Sequence, residues 1–494
     1  MKKAQNGFDI GSETQLFVDD VCVSTKQGVV RSLHPGRKLD EPVMLPERPW
    51  EASGDSRRIY IYGTVIYDQA SKLFRMWYMG RMNFDHGHKI PGLDKPFVTG
   101  DADRRGRRFA ADDVGDLMLY ATSKDGIHWE KPDLGLFEFD GSPKNNIVWD
   151  FHGASVLVDE AEPDPQKRFK MAGFCRRFRD IRVLYSADGL SWMEFPDNPI
   201  VEREHEGSFN VVHDRATGNY FASVVYKYKE KRCVALFTSS DFHQGWSEPK
   251  MIIVSDRQDD LWVQDPDQST QFYGMSGFRY GGQFLGLLNV FKVQRKIKDQ
   301  APGDATDDGP IDVQLTHSRD GLRWERFEDR TAIIPNGEPG TYDAGCILQC
   351  ATEPVIFQDE LWVYYTAINT THGGRLADKV ASIGRASWRL DGFVSLDAGS
   401  AGGMVETVPL RSPGGHLEVN ADASGGTVLV EILSAEGEPL SGYAAGDCAA
   451  IQADGVRQVA CWKRGDELPA NQPIRLRFHL NNAKLFSFRI TSSK

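Results

Sequence analysis

Acidic residues recur at intervals just ahead of apolar, β-rich runs of this chain. Glu51 and Asp55, with Arg57 and Arg58, precede a run at 64–68; Asp150 and His152 precede 154–159; Glu204, His205 and Glu206 precede 210–214. Asp265, Asp267 and Gln271 stand before 275–280, and Tyr342, Asp343 and Glu353 before 354–357. An apolar strand needs no carboxylate at its mouth, and like charges gathered together raise one another's pKa at a cost. Such recurrence points to acid/base work. Two carboxyl groups flanking a glycosidic bond do this, about 5–5.5 Å apart for retention and about 6.5–9.5 Å for inversion. The structural alternative for each acid is a turn cap or a solvated rim carboxylate, and for the basic residues an ion pair within the channel.

The elements that must position these groups are repeats. A β-rich run, a polar turn and a second aromatic-rich run occur five times: 64–68 with 74–78, 154–159 with 169–173, 210–214 with 220–224, 275–280 with 284–288, and 354–357 with 361–365. Each reads as a hairpin of buried strands, and the spacing fits one four-stranded blade per copy. A second repeat, Ser-x-Asp-Gly-x-x-Trp, lies at 123–129, 186–192 and 318–324, with a degenerate copy at 239–246. Its Gly accepts positive φ and its Asp bonds nearby backbone, so it is a turn and a scaffold element. The fold class expected is all-β: a five-bladed β-propeller over residues 1–397, then a small C-terminal β-sandwich over 398–494. Residues 14–40 are expected to supply the closing strand. Short alternating strands at 416–420, 426–433, 474–480 and 483–490 carry the sandwich expectation. That sandwich either braces the propeller or offers a surface for a homo-oligomer.

Composition narrows the partners. The 494 residues carry a formal net charge of −12 with both signs interspersed, which argues against nucleic acid or an anionic membrane. The basic run at 104–108 is flanked by aspartates and reads as a solvated loop. No stretch is apolar enough to span a bilayer, and the N-terminal residues lack the apolar core of a secretory signal, so the expectation is a cytoplasmic protein. Seven scattered cysteines form no Cys-x-x-Cys pair and read as buried thiols; strand alternation would put Cys346 and Cys350 on one face. Two long polar segments, 81–115 and 294–312, interrupt the blades, and the first is expected at the rim of a central pocket. Asp85, His86 and His88 lie in it, and His152, His213 and His372 lie near blade edges, but exposed loop histidines explain the 85–88 cluster better than a metal. No metal and no cofactor is assigned.

In architecture the chain resembles the invertase, inulinase and levanase group of glycoside hydrolases, whose propeller is shared with arabinanases, xylosidases and levansucrases. The residues at 426–431, Gly437, 474–478 and 484–489 carry the likeness in the sandwich; residues 49–51, 74–78 and the Asp-Gly turns carry it in the propeller. The fructosidase motifs Trp-Met-Asn-Asp-Pro-Asn-Gly, Arg-Asp-Pro and Glu-Cys do not occur, and Cys350 follows Gln349. The resemblance therefore implies a carbohydrate substrate and a glycosidase scaffold, but not a retaining fructosidase mechanism. By analogy with the inverting arabinanase type, Asp55 is expected as general base, Glu206 as general acid and Asp343 as the third carboxylate, with Glu51 the alternative to Asp55. Arg57, Arg58, His152, Asp267, Gln271 and Tyr342 are the expected substrate-binding residues. The resemblance also leaves room for a structural calcium on the axis. A glycoside phosphorylase or polysaccharide lyase on the same scaffold remains open, as does a non-catalytic carbohydrate-binding propeller.

Overall fold

A computed structural model describes residues 7–53, 56–82, 115–139, 142–175, 178, 180–202, 206–298 and 305–491. Among them are strands, turns and three short 3-10 turns, with no α-helix and hence no helix long and apolar enough to cross a membrane. The runs rich in Val, Ile, Tyr, Phe and Trp suit a pleated, packed surface, and Asp-Gly turns end them.

Strand pairing divides residues 37–389 into five antiparallel groups. The first runs Ser56–Asp68, Leu73–Met82, Gly115–Ser123 and Trp129–Glu130. The second runs His152–Val158, Phe169–Cys175, Asp180–Ser186 and Met193–Glu194. Glu206–Asp214, Asn219–Tyr228, Lys231–Ser239 and Lys250–Ile253 make the third, and Ser269–Tyr280, Gln283–Val293, Ile311–Ser318 and Glu325–Arg326 the fourth. In the fifth, Cys346–Cys350 and Val355–Phe357 pair with Glu360–Ile368, which pairs with Val380–Arg389.

One buried hydroxyl or amide on each leading strand ties these groups into a circle. The Val156 N–H donates to Thr64 Oγ1 (2.9 Å), the Val211 N–H to Ser155 Oγ (3.0 Å), and Asn210 Nδ2 to the Met275 carbonyl (3.1 Å). Ser276 Oγ donates to the Cys350 carbonyl (2.8 Å), and the Thr352 N–H to the Gly63 carbonyl (3.0 Å), returning to the first group. A circle that closes on itself is the geometry of a propeller. The Thr64 and Thr352 hydroxyls lie 2.9 Å apart and Thr352 Oγ1 lies 3.4 Å from Ser155 Oγ, so hydrogen-bonded side chains fill the middle of the axis. Leaving any of these buried groups unpaired would cost about 1–3 kcal/mol.

In three of the groups the repeated turn fastens the group to the one before it. In all three intact copies the Asp side chain accepts two backbone N–H bonds and the Ser hydroxyl accepts the Gly N–H. Gly189, at φ +76°, lies against Trp77 of the first group and accepts its indole N–H at 2.7 Å. Gly126 abuts Trp362 and Tyr364 of the fifth group, and Gly321 abuts Phe221 of the third.

Arg37–Lys38 adds the outermost strand of the fifth group, beside Ala386 and Ser387, and Lys38 Nζ reaches Asp343 at 2.7 Å. The rest of the expected closing segment goes elsewhere: Gln15–Leu16, Val23–Gln27 and Val30–Leu33 pair with strands beyond residue 393. Short edge strands match many partners, and only the assembled sheets select one. Those sheets are two. Val30–Leu33, Val394–Ala398, Ala483–Thr491, His416–Asp422 and Asp454–Val459 form one; Val23–Gln27, Gly403–Thr407, Ala470–Asn481, Leu410–Pro413 and Thr427–Ser434 form the other. Leu417, Val419 and Phe488 of the first share one core with Val405, Val430 and Phe478 of the second, so the sheets pack face to face. Buried Asp391 joins this body to the propeller by accepting from Tyr280 OH (2.5 Å) and Ser487 Oγ (2.6 Å).

The seven cysteines are free thiols. Cys346 and Cys350 do not share a face: Gln349 takes φ +68° at a register shift, and the two thiols enter different cores. Of the first long polar segment, residues 83–114 lie outside the described residues, and with them Asp85, His86, His88 and the basic run.

Candidate active site

All five leading strands run the same way along the axis, so the axis has a mouth where they start and a mouth where they end. The long connections between second and third strands also gather at the starting mouth. Polar side chains from every group meet there.

The first group contributes most. Tyr60 and Tyr62 alternate inward along Ser56–Asp68, with ring centroids 5.4 Å apart, and Tyr62 stands edge-on to His152 at 5.7 Å. Asp116, at the head of Gly115–Ser123, accepts a 2.8 Å hydrogen bond from His152 Nδ1 and lies 3.9 Å from Arg81 Nε. Arg58 sits beside Tyr60, Arg81 and Asp116. From the fourth group Tyr273 comes near Tyr62 and Arg81, and its hydroxyl is 2.9 Å from His372 Nε2. His372 Nδ1 donates to the Asp307 carbonyl at 3.0 Å, and Lys379 Nζ to the His372 carbonyl at 2.7 Å. Arg232 of the third group closes the set, giving 2.8 Å to Asp307 Oδ2 and 3.0 Å to Gln271 Oε1 while lying over the Tyr273 ring.

The electrostatics follow from that crowding. Burial, and then Arg58 and Arg81, lower Lys379; burial, and then Arg81, lower Arg58 against the pull of Tyr60 and Asp116. Burial also opposes charge on Arg81, but Asp116 and the tyrosines outweigh it and hold that guanidinium above its ordinary value. Burial pushes His372 down to about 4, so its imidazole is neutral near pH 7. Burial, then Tyr273 and Tyr60, lift the Tyr62 phenol well above its ordinary value, which keeps it a proton donor.

Three of the residues expected from sequence meet here: Arg58, His152 and Gln271. Arg57, one step out of phase on the strand, is exposed, and Asp267 is exposed in a turn where its own N–H bonds Asp265. Glu51 is fully buried, and although its carbonyl accepts the Arg58 N–H (3.1 Å), its carboxylate is taken up by Tyr78 OH (2.6 Å), the Glu47 and Arg48 N–H groups and Lys131 Nζ (2.7 Å). Asp343 is equally committed, accepting from Lys38, Tyr365 OH (3.0 Å) and Thr341, while Tyr342 OH donates to the Leu39 carbonyl. Both acids and Tyr342 therefore brace the scaffold: each stands on a connection that doubles back against a neighbouring segment before its strand reaches the axis. Asp55 lies outside the described residues, as do Glu204 and His205; Glu206 begins the leading strand of the third group.

Tyr60, Tyr62, Arg81, Asp116, Arg232, Tyr273, Asp307, His372 and Lys379 were not singled out from sequence, apart from His372 as a blade-edge imidazole. Most flank the long connections, at the end of a second strand or the start of a third, which was the available signal. Among the described residues no three His, Cys, Asp or Glu side chains gather as a metal-ligand set.

No protein-family model matches this chain, and no curated protein matches it. Solved structures do. One is a glycoside hydrolase, 13% identical, with 71% of this chain and 92% of that one covered at a TM-score of 0.43. Another is a glycosyl hydrolase from Bacteroides ovatus, 13% identical, covering 77% and 97% at 0.44. A third is the β-1,2-mannobiose phosphorylase from Listeria innocua, in complex with β-1,2-mannobiose, 10% identical, covering 74% and 97% at 0.43.

Proposed function

We propose that this protein is a carbohydrate-active enzyme that cleaves a glycosidic bond at the mouth where the leading strands start. The observation that supports this reading is the buried Asp116–His152 pair, joined through Tyr62, Arg81 and Tyr273 to His372 and Arg232, so that side chains from all five strand groups share one mouth. A carboxylate bonded to one imidazole nitrogen fixes the ring and its tautomer, and an imidazole held in this way suits proton transfer or a bond to a sugar hydroxyl. Protonated Tyr62, with Arg58 and Gln271, supplies donors and acceptors for substrate hydroxyls. Asp55, just ahead of Ser56–Asp68, and Glu206, at the head of Glu206–Asp214, are the carboxyl groups we assign as base and acid of a hydrolase.

One observation favours a phosphorolytic version. Burial first, and then repulsion by Arg81 beside Arg58 and by both arginines beside Lys379, weaken the hold of these two side chains on their protons. An anion seated among them relieves that repulsion. Inorganic phosphate as attacking group, or a carboxylate on the substrate, has the required charge.

Incubation with aryl glycosides and short oligosaccharides, with and without phosphate, tests both versions. Free sugar as product marks a hydrolase and sugar 1-phosphate a phosphorylase. Asp116→Asn and Glu206→Gln should each remove the activity with the fold retained. Absence of turnover by the wild type in every condition would rule the reading out.

A further inference from the structure

The opposite mouth holds a space that the chemistry above does not use. A cavity of about 390 Å3 opens among the ends of the leading strands, lined by Val211, His213, Arg215, Arg279, Thr352 and Glu353 among others. That volume lies in the range of small-molecule sites. Thr352 belongs to the hydrogen-bonded ring that fills the axis, so the ring stands between this cavity and the cluster around Tyr62 and His152.

Two groups in it lack partners of matching chemistry. Glu353 presents its side chain to the cavity, and among the described residues its carboxyl makes no hydrogen bond or ion pair. Water reaches that side chain through the mouth, yet protein surrounds it, and burial raises its carboxyl above the ordinary range while Arg215 opposes the shift. Arg215 donates to the Val158 carbonyl at 3.2 Å and forms no ion pair among the described residues. The other ions satisfy each other: Lys170 lies 2.7 Å from Asp159 and 2.9 Å from Glu162, and Arg279 3.8 Å from Asp214.

Charge selects the ligand class. Glu13, Asp159, Asp214 and Glu353 line the cavity with Lys170, Arg215 and Arg279, and burial keeps His213 toward its neutral form. Four acids face three cations, and burial moves Glu353 toward its neutral form, so no strong field favours an anion or a cation. An uncharged molecule that both donates and accepts hydrogen bonds matches an open guanidinium beside an open carboxyl. His213 lies flat on Tyr220, centroids 4.3 Å apart and planes 11° from parallel, which makes that wall rigid. We infer that this cavity is a second binding site for a small, uncharged, polyhydroxylated ligand of monosaccharide size, held between Arg215 and Glu353.

Titration calorimetry on the full chain tests this, with D-glucose, D-mannose and L-arabinose as neutral probes and phosphate and D-glucuronate as anionic ones. At least one neutral sugar should bind more tightly than either anion. Arg215→Met and Glu353→Ala should each weaken that binding about tenfold or more, and Glu353→Gln, which keeps an uncharged donor and acceptor, by about threefold or less. Arg58→Met, at the other mouth, should leave it unchanged, which separates this site from the proposed catalytic one. Binding of no neutral sugar, tighter binding of the anions, or loss in Arg58→Met with Arg215→Met and Glu353→Ala unaffected would overturn the inference. Arg215 and Glu353 are exposed side chains with few contacts, and matching thermal midpoints for the variants would show that folding is not the cause.

Discussion

The two mouths of one axis differ in how their polar groups are satisfied. Where the leading strands start, Tyr62, Tyr273, His372, Asp307, Arg232 and Gln271 form a continuous run of contacts, Arg58 and Arg81 lie against buried Asp116, and Lys379 stands beside both arginines. Where they end, the ions pair off locally and leave Glu353 and Arg215 facing open space. Crowded, mutually dependent groups hold perturbed protonation states of the kind that acid/base chemistry requires. Balanced, independent groups suit recognition. On the proposed reading the same fold carries two kinds of site, kept apart by a ring of five short polar side chains.

The contrast can be broken most sharply at the dyad. Asp116→Asn should lower kcat/KM about 10²–10⁴-fold, the usual span for losing acid/base assistance, read with whichever glycoside the wild type turns over. Next, Glu51→Ala should cost about 3–5 kcal/mol in urea unfolding, because Lys131, 5% exposed, loses its buried partner and keeps only the exposed Glu47 at 3.8 Å. Loss of stability at Glu51 and of turnover at Asp116 would separate bracing acids from acting ones.

His372 gives the starting mouth a pH signature. Its folded pKa, about 4, lies below the ordinary value of 6.5, so the unfolded chain binds the proton first as pH falls. Stability is fully present above about pH 6.5, is lost on going down to about 4, and levels off below that. On moving from pH 7 to pH 4 the wild type should lose about 3 kcal/mol more than His372→Gln, measured by urea unfolding at both pH values. A smaller effect belongs to the ring between the mouths. Thr352→Val removes a hydroxyl bonded to Gly63 and close to Thr64 and Ser155, and should cost about 1–3 kcal/mol in the same assay. The smallest expected effect is Glu353→Gln on turnover, within about threefold of wild type, since only binding at the far mouth should respond.

Much of the scaffold was legible because it repeats. Hairpins with period-two alternation and Ser-x-Asp-Gly turns state their local conformation in their own residues, and the turns do the same job in each copy, with the Gly seated against the preceding group. The closing strand was legible only in outline: Arg37–Lys38 lies where it was expected, whereas the similarly short Gln15–Leu16 and Val30–Leu33 pair with the C-terminal sheets. The candidate site was less legible. Acids ahead of strands drew attention to Glu51 and Asp343, yet nothing in the local sequence shows that Lys131 and Lys38 fold back to neutralise them. Asp116 follows a long polar segment at the head of an ordinary strand, and its pairing with His152 comes from another strand group.

The sequence by itself determined the all-β character, the repeated hairpins and their turns, because side-chain alternation and the φ preference of Gly act over a few residues. The tertiary structure alone decided which strand closes the circle, which carboxylates are sealed by lysines, and which groups from five distant segments share a mouth. Those outcomes depend on contacts between residues tens to hundreds of positions apart, such as Thr352 with Gly63 or Lys38 with Asp343, and a chain acquires them only when its ends have been brought together.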